Sequence, residues 1–298
     1  MATLKGQNLR VFNGTTVIAM STNATITLTN NTEESSHKDI VGFASQPTVM
    51  SQGWSVQVES LDVSDVATLL TAIKNQTKFN LMWDETSTTD NYSMVGADFA
   101  RSGQAYLNDA TFTFDDRTNS VKNIQFTGVG AINKLSGTIS VGGGNTNSFT
   151  KGQFVRLFLS SDNTAAPSKV IGAAKQLSLH VSLQLEDATT KDTEGTFLIQ
   201  EPVGLSYDIS TTALVRSGDT ISSDVHAQDL ASIEEIYEAG TPVKWKIANT
   251  SGANNRTAGT VICSGSALIQ TLTINAPNRQ NATYSAQLAG YGAYTVGS

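Results

Sequence analysis

The sequence predicts a mainly β protein made of two tandem antiparallel β-sandwich or barrel domains, each with one short α-helix and one long hairpin. Three observations predict it. The segments KGQNLRVF from Lys5 and KGQFVRLF from Lys151 are near copies, 146 residues apart (151 − 5). Apolar and polar residues alternate with period two through both halves, the pattern of half-buried antiparallel strands. One segment per half departs from that alternation and takes helical spacing instead.

The copies continue in the same order along the chain. VIAMSTNATITLTNNTEESSHKD, residues 17–39, aligns without a gap on VIGAAKQLSLHVSLQLEDATTKD, residues 170–192. Gly53, Trp54, Ser55, Val56 and Val58 then face Gly204, Leu205, Ser206, Tyr207 and Ile209. DVATLLTAI from Asp65 meets DLASIEEIY from Asp229, and FTGVGAI from Phe126 meets LAGYGAY from Leu288. Matching blocks in one order are the mark of an internal duplication. The first domain is placed at residues 1–134, a Gly-, Ser- and Asn-rich linker at 135–150, and the second domain at 151–298. A chain of 298 residues has the length of two domains, and each half is large enough to hold its own core.

Each element has a local reason. Ala24, Ile26 and Leu28 alternate with Thr25, Thr27 and Thr29, and Leu177, Leu179, Val181 and Leu183 alternate with Ser178, His180 and Ser182. Trp54, Val56 and Val58 form a third such run, and Phe112 and Phe114 mark a fourth. The helices are expected at Val66, Leu69, Leu70 and Ile73 and at Leu230, Ile233, Ile236 and Tyr237. Asp65 and Asp229 lead them, a negative charge at the positive end of the helix dipole. The stretches 29–46 and 182–200 are long, charged and poor in proline, and read as extended hairpin loops.

Composition narrows the function. The net charge is −7, from 19 basic and 26 acidic residues, and the basic ones form no cluster. That balance argues against a protein gripping nucleic acid by its phosphates. No run approaches the roughly 20 apolar residues of a membrane helix, and the first residues lack the apolar stretch of a signal peptide. Synthesis in a cytoplasm is the expectation. The single cysteine, Cys263, lies in an apolar strand-like stretch and reads as a buried, inert thiol.

Catalytic patterns are missing. His37, His180 and His226 have no metal-ligand spacing and read as solvated or satisfied histidines; His180 aligns with Thr27. There is no nucleophile elbow, phosphate-binding loop or zinc-protease motif. Asp115-Asp116-Arg117 could pair carboxylates, but its counterpart is Pro277-Asn278-Arg279, so the shared property is turn formation. Gly128-Val129-Gly130 and Gly290-Tyr291-Gly292 close a strand rather than open a helix. No catalytic residue, cofactor or metal site is expected.

Each half resembles the major tail protein, or tail tube protein, of long-tailed bacteriophages. The resemblance rests on the opening K-G-Q-x-x-R-x-F strand, the V-I strand after it, and the alternating strand running into Glu33–Asp39 or Glu186–Asp192. A W-S-V or L-S-Y strand, one helix and a closing G-x-G-A segment complete it. The resemblance implies a β-sandwich flanked by a helix, with a long hairpin after the second strand. It implies six such domains per ring and rings stacked into a hollow tube that conducts viral DNA without binding it specifically. With two domains fused, three chains would complete a ring. The implied partners are the chain itself, tail initiator, tape-measure and terminator proteins and, in a contractile tail, a sheath protein. The implied location is the virion tail.

In that setting Glu33, Glu34, Lys38, Asp39, Glu186, Asp187, Lys191, Asp192 and Glu194 become candidates for the lumen wall or the inter-ring hairpins. A net acidic wall repels phosphate and lets DNA slide. Ordinary solvated loops, and salt bridges between subunits at Lys38-Asp39 and Lys191-Asp192, are the alternatives for these charges. Asp65, Leu69, Ile73, Asp229, Ile233 and Tyr237 are the candidate helix residues. Two other readings stand beside the tail tube. One is the inner tube of a contractile phage-like injection apparatus; the other is a β-sandwich binding or adhesion module.

Overall fold

A computed structural model describes residues 6–14, 16–18, 20–34, 46–86, 94–96, 99–135, 150–193, 195–215, 227–251 and 256–297. The first half opens with a 3-10 turn, Gly6–Asn8, followed by β1 (Leu9–Asn13), β2 (Thr16–Val17), β3 (Ser21–Glu34) and β4 (Pro47–Ser60). Helix α1 (Val66–Lys74) leads to β5 (Lys78–Glu85), β6 (Arg101–Asp115) and β7 (Val121–Lys134). The second half repeats this order. A turn at Gly152–Phe154 precedes β8 (Val155–Leu159), β9 (Lys169–Ile171), β10 (Ala174–Asp187) and β11 (Gln200–Leu214). The short β12 (Ala227–Gln228) is an addition, paired parallel with β9. Then come α2 (Leu230–Ala239), β13 (Val243–Ser251), β14 (Thr257–Asn275) and β15 (Thr283–Val296). No helix among the described residues is long and apolar enough to cross a membrane.

The pairing is the same in both halves and antiparallel. In the first, β1 pairs with β2 and β5, β5 with β6, β6 with β7, β7 with β4, and β4 with β3. In the second, β8 pairs with β9 and β13, β13 with β14, β14 with β15, β15 with β11, and β11 with β10. Irregularities recur in matched places too. The β3–β4 ladder skips Thr22 and Met50, and the β10–β11 ladder skips Lys175 and Val203. The β6–β7 ladder skips Gly103 and Asn108, and the β14–β15 ladder skips Gly265 and Gln270. A bulge bends its strand and raises the local twist, so matched bulges make the two sheets curve alike.

Left-handed backbone recurs with the same fidelity. Met20 and Ala173 have φ of 50° and 51°, Arg117 and Arg279 have 63° and 61°, and Gly130 and Gly292 have 72° and 75°. The shared Arg117 and Arg279 conformation places a tight turn at both, as the aligned turn residues suggest.

One alignment from the sequence is corrected by the register. Trp54 stands opposite Leu28, and Tyr207 stands opposite Val181, so Trp54 matches Tyr207 rather than Leu205. A slip of two residues keeps every side chain on its face, so alternation alone does not detect it. Packing explains why the two aromatics share a place. A Cβ on Gly103 or Gly128 would lie 2.5 or 2.1 Å from the Trp54 ring. One on Gly265 or Gly290 would lie 3.0 or 2.7 Å from Tyr207. Each ring therefore rests on a floor of two glycines. The Trp54 Nε1 donates to the Gly130 carbonyl at 3.1 Å, and the Tyr207 hydroxyl donates to the Ser266 carbonyl at 2.6 Å.

The halves are not separate sheets. Strand β10 lies along β6, so that fifteen strands among the described residues form one hydrogen-bonded sheet. One apolar cluster likewise spans both halves, from Val11 to Tyr294. Helix α1 packs on β6 and also touches β10, β14 and β15 of the other half. There Leu70 and Ile73 are buried, and the Tyr294 hydroxyl donates to the Leu70 carbonyl at 2.7 Å. The linker expected at 135–150 lies outside the described residues except at its two ends.

Candidate assembly interface

The contact between the halves is built on one long strand. The first part of β6, Arg101–Tyr106, carries β5 on its outer edge. The same edge further on, Asp109–Asp115, carries β10 at Ser182–Gln176. Apolar residues pair on one face of this joint, Leu179 with Phe112 and Val181 with Ala110, all of them buried. Polar residues pair on the other, His180 with Thr111 and Ser182 with Asp109.

On that polar face His180 bridges the halves. Its Nε2 lies 2.7 Å from Asp109 Oδ2 on β6, and its Nδ1 lies 2.7 Å from Asp208 Oδ1 on β11. Partial burial disfavours the charged ring, but the two hydrogen-bonded carboxylates outweigh it, and the imidazole pKa is raised. With both ring nitrogens facing carboxylates, the protonated ring is the form that donates to both. His180 is therefore a satisfied histidine with a specific partner on each side.

The edges joined here are left open elsewhere. Strand β3 is the counterpart of β10, and its outer edge has no partner among the described residues. Strand β14 is the counterpart of β6. Beyond Ala267, where β13 ends its pairing, its outer edge has no partner among the described residues as far as Asn275. Apolar side chains stand exposed on these open edges and beside them. Ile274 is 49% exposed, while its counterpart Phe112 is 0% exposed. Leu268, Tyr237 and Tyr291 are exposed, while Tyr106, Ile73 and Val129 in the matching places of the first half are buried. An open strand edge flanked by exposed apolar side chains is a surface prepared for another chain.

The second hairpin covers the first half beyond the joint. Gln52 N donates to Thr196 O at 2.7 Å, Leu198 N donates to Gln52 O at 2.9 Å, and Gly130 N donates to Leu198 O at 2.9 Å. Leu205 and Gly292, in the places of Gln52 and Gly130, are exposed.

The candidate hairpin residues lie at the far ends of the long strands. Glu33 and Glu34 end β3, and Glu186 and Asp187 end β10; all four are exposed. The Asp187 carboxylate accepts from Thr189 N at 2.9 Å and from the Thr189 hydroxyl at 2.5 Å, and these bonds lower its pKa. It orders the start of the hairpin turn. Lys191 and Asp192 are exposed in that turn. Lys38, Asp39 and Glu194 lie outside the described residues, as do His37 and His226.

The candidate helix residues divide by half. Leu69 and Ile73 of α1 and Ile233 of α2 are buried, whereas Tyr237 is exposed. Asp229 caps α2, accepting from Ser232 N at 2.9 Å. Asp65 does not cap α1. Its carboxylate takes both contacts from the buried Lys122 Nζ, at 2.5 and 2.6 Å. Lys122 stands where the second half has Tyr284, so only the first half needs this counter-charge.

Sequence reasoning did not find the roles of Lys122, Asp109 and Asp208. The one signal for the cluster was the odd alignment of His180 on Thr27. Cys263 is buried, which raises its thiol pKa, in keeping with the inert reading. Among the described residues no group of His, Cys, Asp and Glu could hold a metal ion.

A family model described as phage tail tube protein matches residues 152–296. Three solved structures are similar to parts of the chain. The tail of an empty GTA particle, refined with C6 symmetry, is 16% identical over 48% of this chain and 93% of its own, with a TM-score of 0.35. The SPP1 tail tube is 18% identical over 49% of this chain and 78% of its own, with a TM-score of 0.37. A chain of the native gene transfer agent virion is 15% identical over 49% of this chain and 98% of its own, with a TM-score of 0.34. No curated protein matches the chain.

Proposed function

We propose that the chain is a tail tube protein, as the family model matching residues 152–296 suggests, and that it polymerises as stacked rings into a hollow tube that conducts viral DNA. Its role is structural, not enzymatic, and its place is the virion tail. The proposed ring contains three chains and six alternating units, with the chain divided at residues 134 and 151.

The observation that carries this reading is the pair of open edges. The β6–β10 joint inside the chain uses one edge from each half, and the matching edges, on β14 and β3, are unpaired among the described residues. Repeating the joint between chains sets β3 of one on β14 of the next. Transfer of the internal register pairs Ile26 with Ile274, Thr27 with Thr273, and Leu28 with Leu272. A head-to-tail contact of this kind closes a ring when its rotation permits.

Stacking is supported by what stays exposed in both halves. Met50 and Val203 are the bulge residues of the two hairpins, and they are 58% and 59% exposed. The joint between the halves covers neither, so both are free for a contact in another direction. Acidic hairpin ends at Glu33, Glu34, Glu186 and Asp187 suit a wall over which phosphates slide. The tail initiator, tape-measure and terminator proteins are the further partners of such a tube.

Electron microscopy of the purified full chain tests the tube, with stacked discs expected and compact monomers under all conditions counting against it. A Thr27→Cys, Thr273→Cys double variant tests the joint. Directly opposed residues on antiparallel strands lie about 4.5–5.5 Å apart, within disulfide reach. Oxidation should give covalent trimers as the largest closed species. Absence of any inter-chain disulfide in assembled material would remove the proposed joint.

A further inference from the structure

We infer that the Asp109–His180–Asp208 cluster selects which strand edges join, keeping β10 on β6 of its own chain and leaving the β14 edge to β3 of a second copy. This rests on the ring reading above. It adds that the two joints are chemically distinct, and that the difference is written in three residues.

The two joints share a backbone geometry and an apolar face. Backbone pairing therefore discriminates poorly between β3 and β10 as partners for either open edge. The polar faces differ. Asp109, His180 and Asp208 of the inner joint correspond to Thr271, Thr27 and Ser55 of the joint between chains. One joint is a carboxylate–imidazolium–carboxylate bridge and the other is a row of hydroxyls.

Exchange of partners would break the bridge across the inner joint. If β10 took the β14 edge, His180 would keep Asp208 but meet Thr271 in place of the Asp109 carboxylate. If β3 took the β6 edge, Asp109 would face Thr27, with no cation beside it. An exchange of partners therefore loses the one charge-assisted hydrogen bond that crosses between the halves, His180 to Asp109, while Asp208 stays with His180 in either arrangement. Losses of this size shift partner preference on the order of tenfold to a hundredfold. Specificity by penalising the wrong pairing matters here because chains still folding expose all four edges at once.

The test uses the full chain with Ser178→Cys and Asn275→Cys. In the register of the inner joint Ser178 opposes Thr113, whose counterpart on β14 is Asn275. These two cysteines therefore meet only where β10 of one chain has taken the β14 edge of another. With the cluster intact, oxidation should give almost no inter-chain disulfide. With Asp109→Thr, His180→Thr and Asp208→Ser added, the disulfide yield should rise about tenfold or more, and ring size should become mixed by native mass spectrometry. Equal yields with and without the cluster, whether both low or both high, would overturn the inference. If the triple variant does not fold, Asp109→Thr alone carries the same comparison. The Thr27→Cys, Thr273→Cys pair, oxidised in parallel with the cluster intact, separates the two failures: no disulfide there removes the ring joint itself.

Discussion

Leu28 and Val181 occupy the same place in the two halves, yet Leu28 is 65% exposed and Val181 is 1% exposed. The difference comes from the neighbour, since Val181 has β6 beside it and Leu28 has none among the described residues. Burying a leucine side chain contributes about 1.5–3 kcal/mol, so an exposed counterpart of a buried residue marks an interface waiting for its partner.

Leu28→Asp should therefore separate folding from assembly. An exposed substitution away from the core changes monomer stability by about 0.5 kcal/mol or less. Thermal unfolding of the dilute variant should match the wild type, while sedimentation shows no rings. Ile274→Asp should behave the same way. Normal rings from either variant would contradict the joint.

The cluster gives the inner joint a pH dependence whose sign follows from the raised His180 pKa. The charged groups facing His180 from the strands beside it are Asp109 on β6 and Asp208 on β11. A group whose folded pKa is raised gives stability that is complete below its unfolded pKa of about 6.5 and is lost as pH rises through the folded value. Unfolding of the dilute chain should thus occur at lower temperature once pH passes that raised value. His180→Thr should flatten the profile; an unchanged slope would show that other groups set it.

Lys122 is 1% exposed on its side chain and Asp65 is 40% exposed. Asp65→Ala leaves a buried ammonium without its partner and should cost about 3 kcal/mol, the low end for a buried pair because Asp65 is partly solvated. Lys122→Met removes the buried charge and leaves a carboxylate that water can reach, so it should cost less. Denaturant unfolding of the two variants checks the order, and a reversed order would show that Lys122 is held by something other than Asp65.

The glycine floors predict a graded response. Gly128→Ala drives a Cβ to 2.1 Å from the Trp54 ring, and Gly290→Ala drives one to 2.7 Å from Tyr207. Overpacking of this kind costs about 1–3 kcal/mol, and Gly128→Ala should lie at the upper end. Equal or negligible losses in denaturant unfolding would mean that Trp54 moves aside freely.

Much of the architecture was legible in the sequence because the duplication was. Alternation fixed the strands, Val66 to Ile73 and Leu230 to Tyr237 the two helices, and Arg117 and Arg279 a shared turn. The partner of Trp54 was not legible, because period-two patterns are blind to a slip of two residues. Most of the candidate interface was hidden as well. His180 stood out only as a mismatch with Thr27, and nothing in the order of residues placed Asp109 beside it, 71 positions away.

By itself the amino-acid order determined that the chain carries one pattern twice and that the pattern is β with a single helix. Only the tertiary structure decided that the two copies share one sheet, and which edges stay open among the described residues. The reason is physical: alternation along a strand records which face is buried, whereas joining at an edge is made by backbone N–H and C=O groups that every residue but proline carries. Such groups leave no trace in composition until side chains like His180 and Leu28 are seen beside the edges they mark.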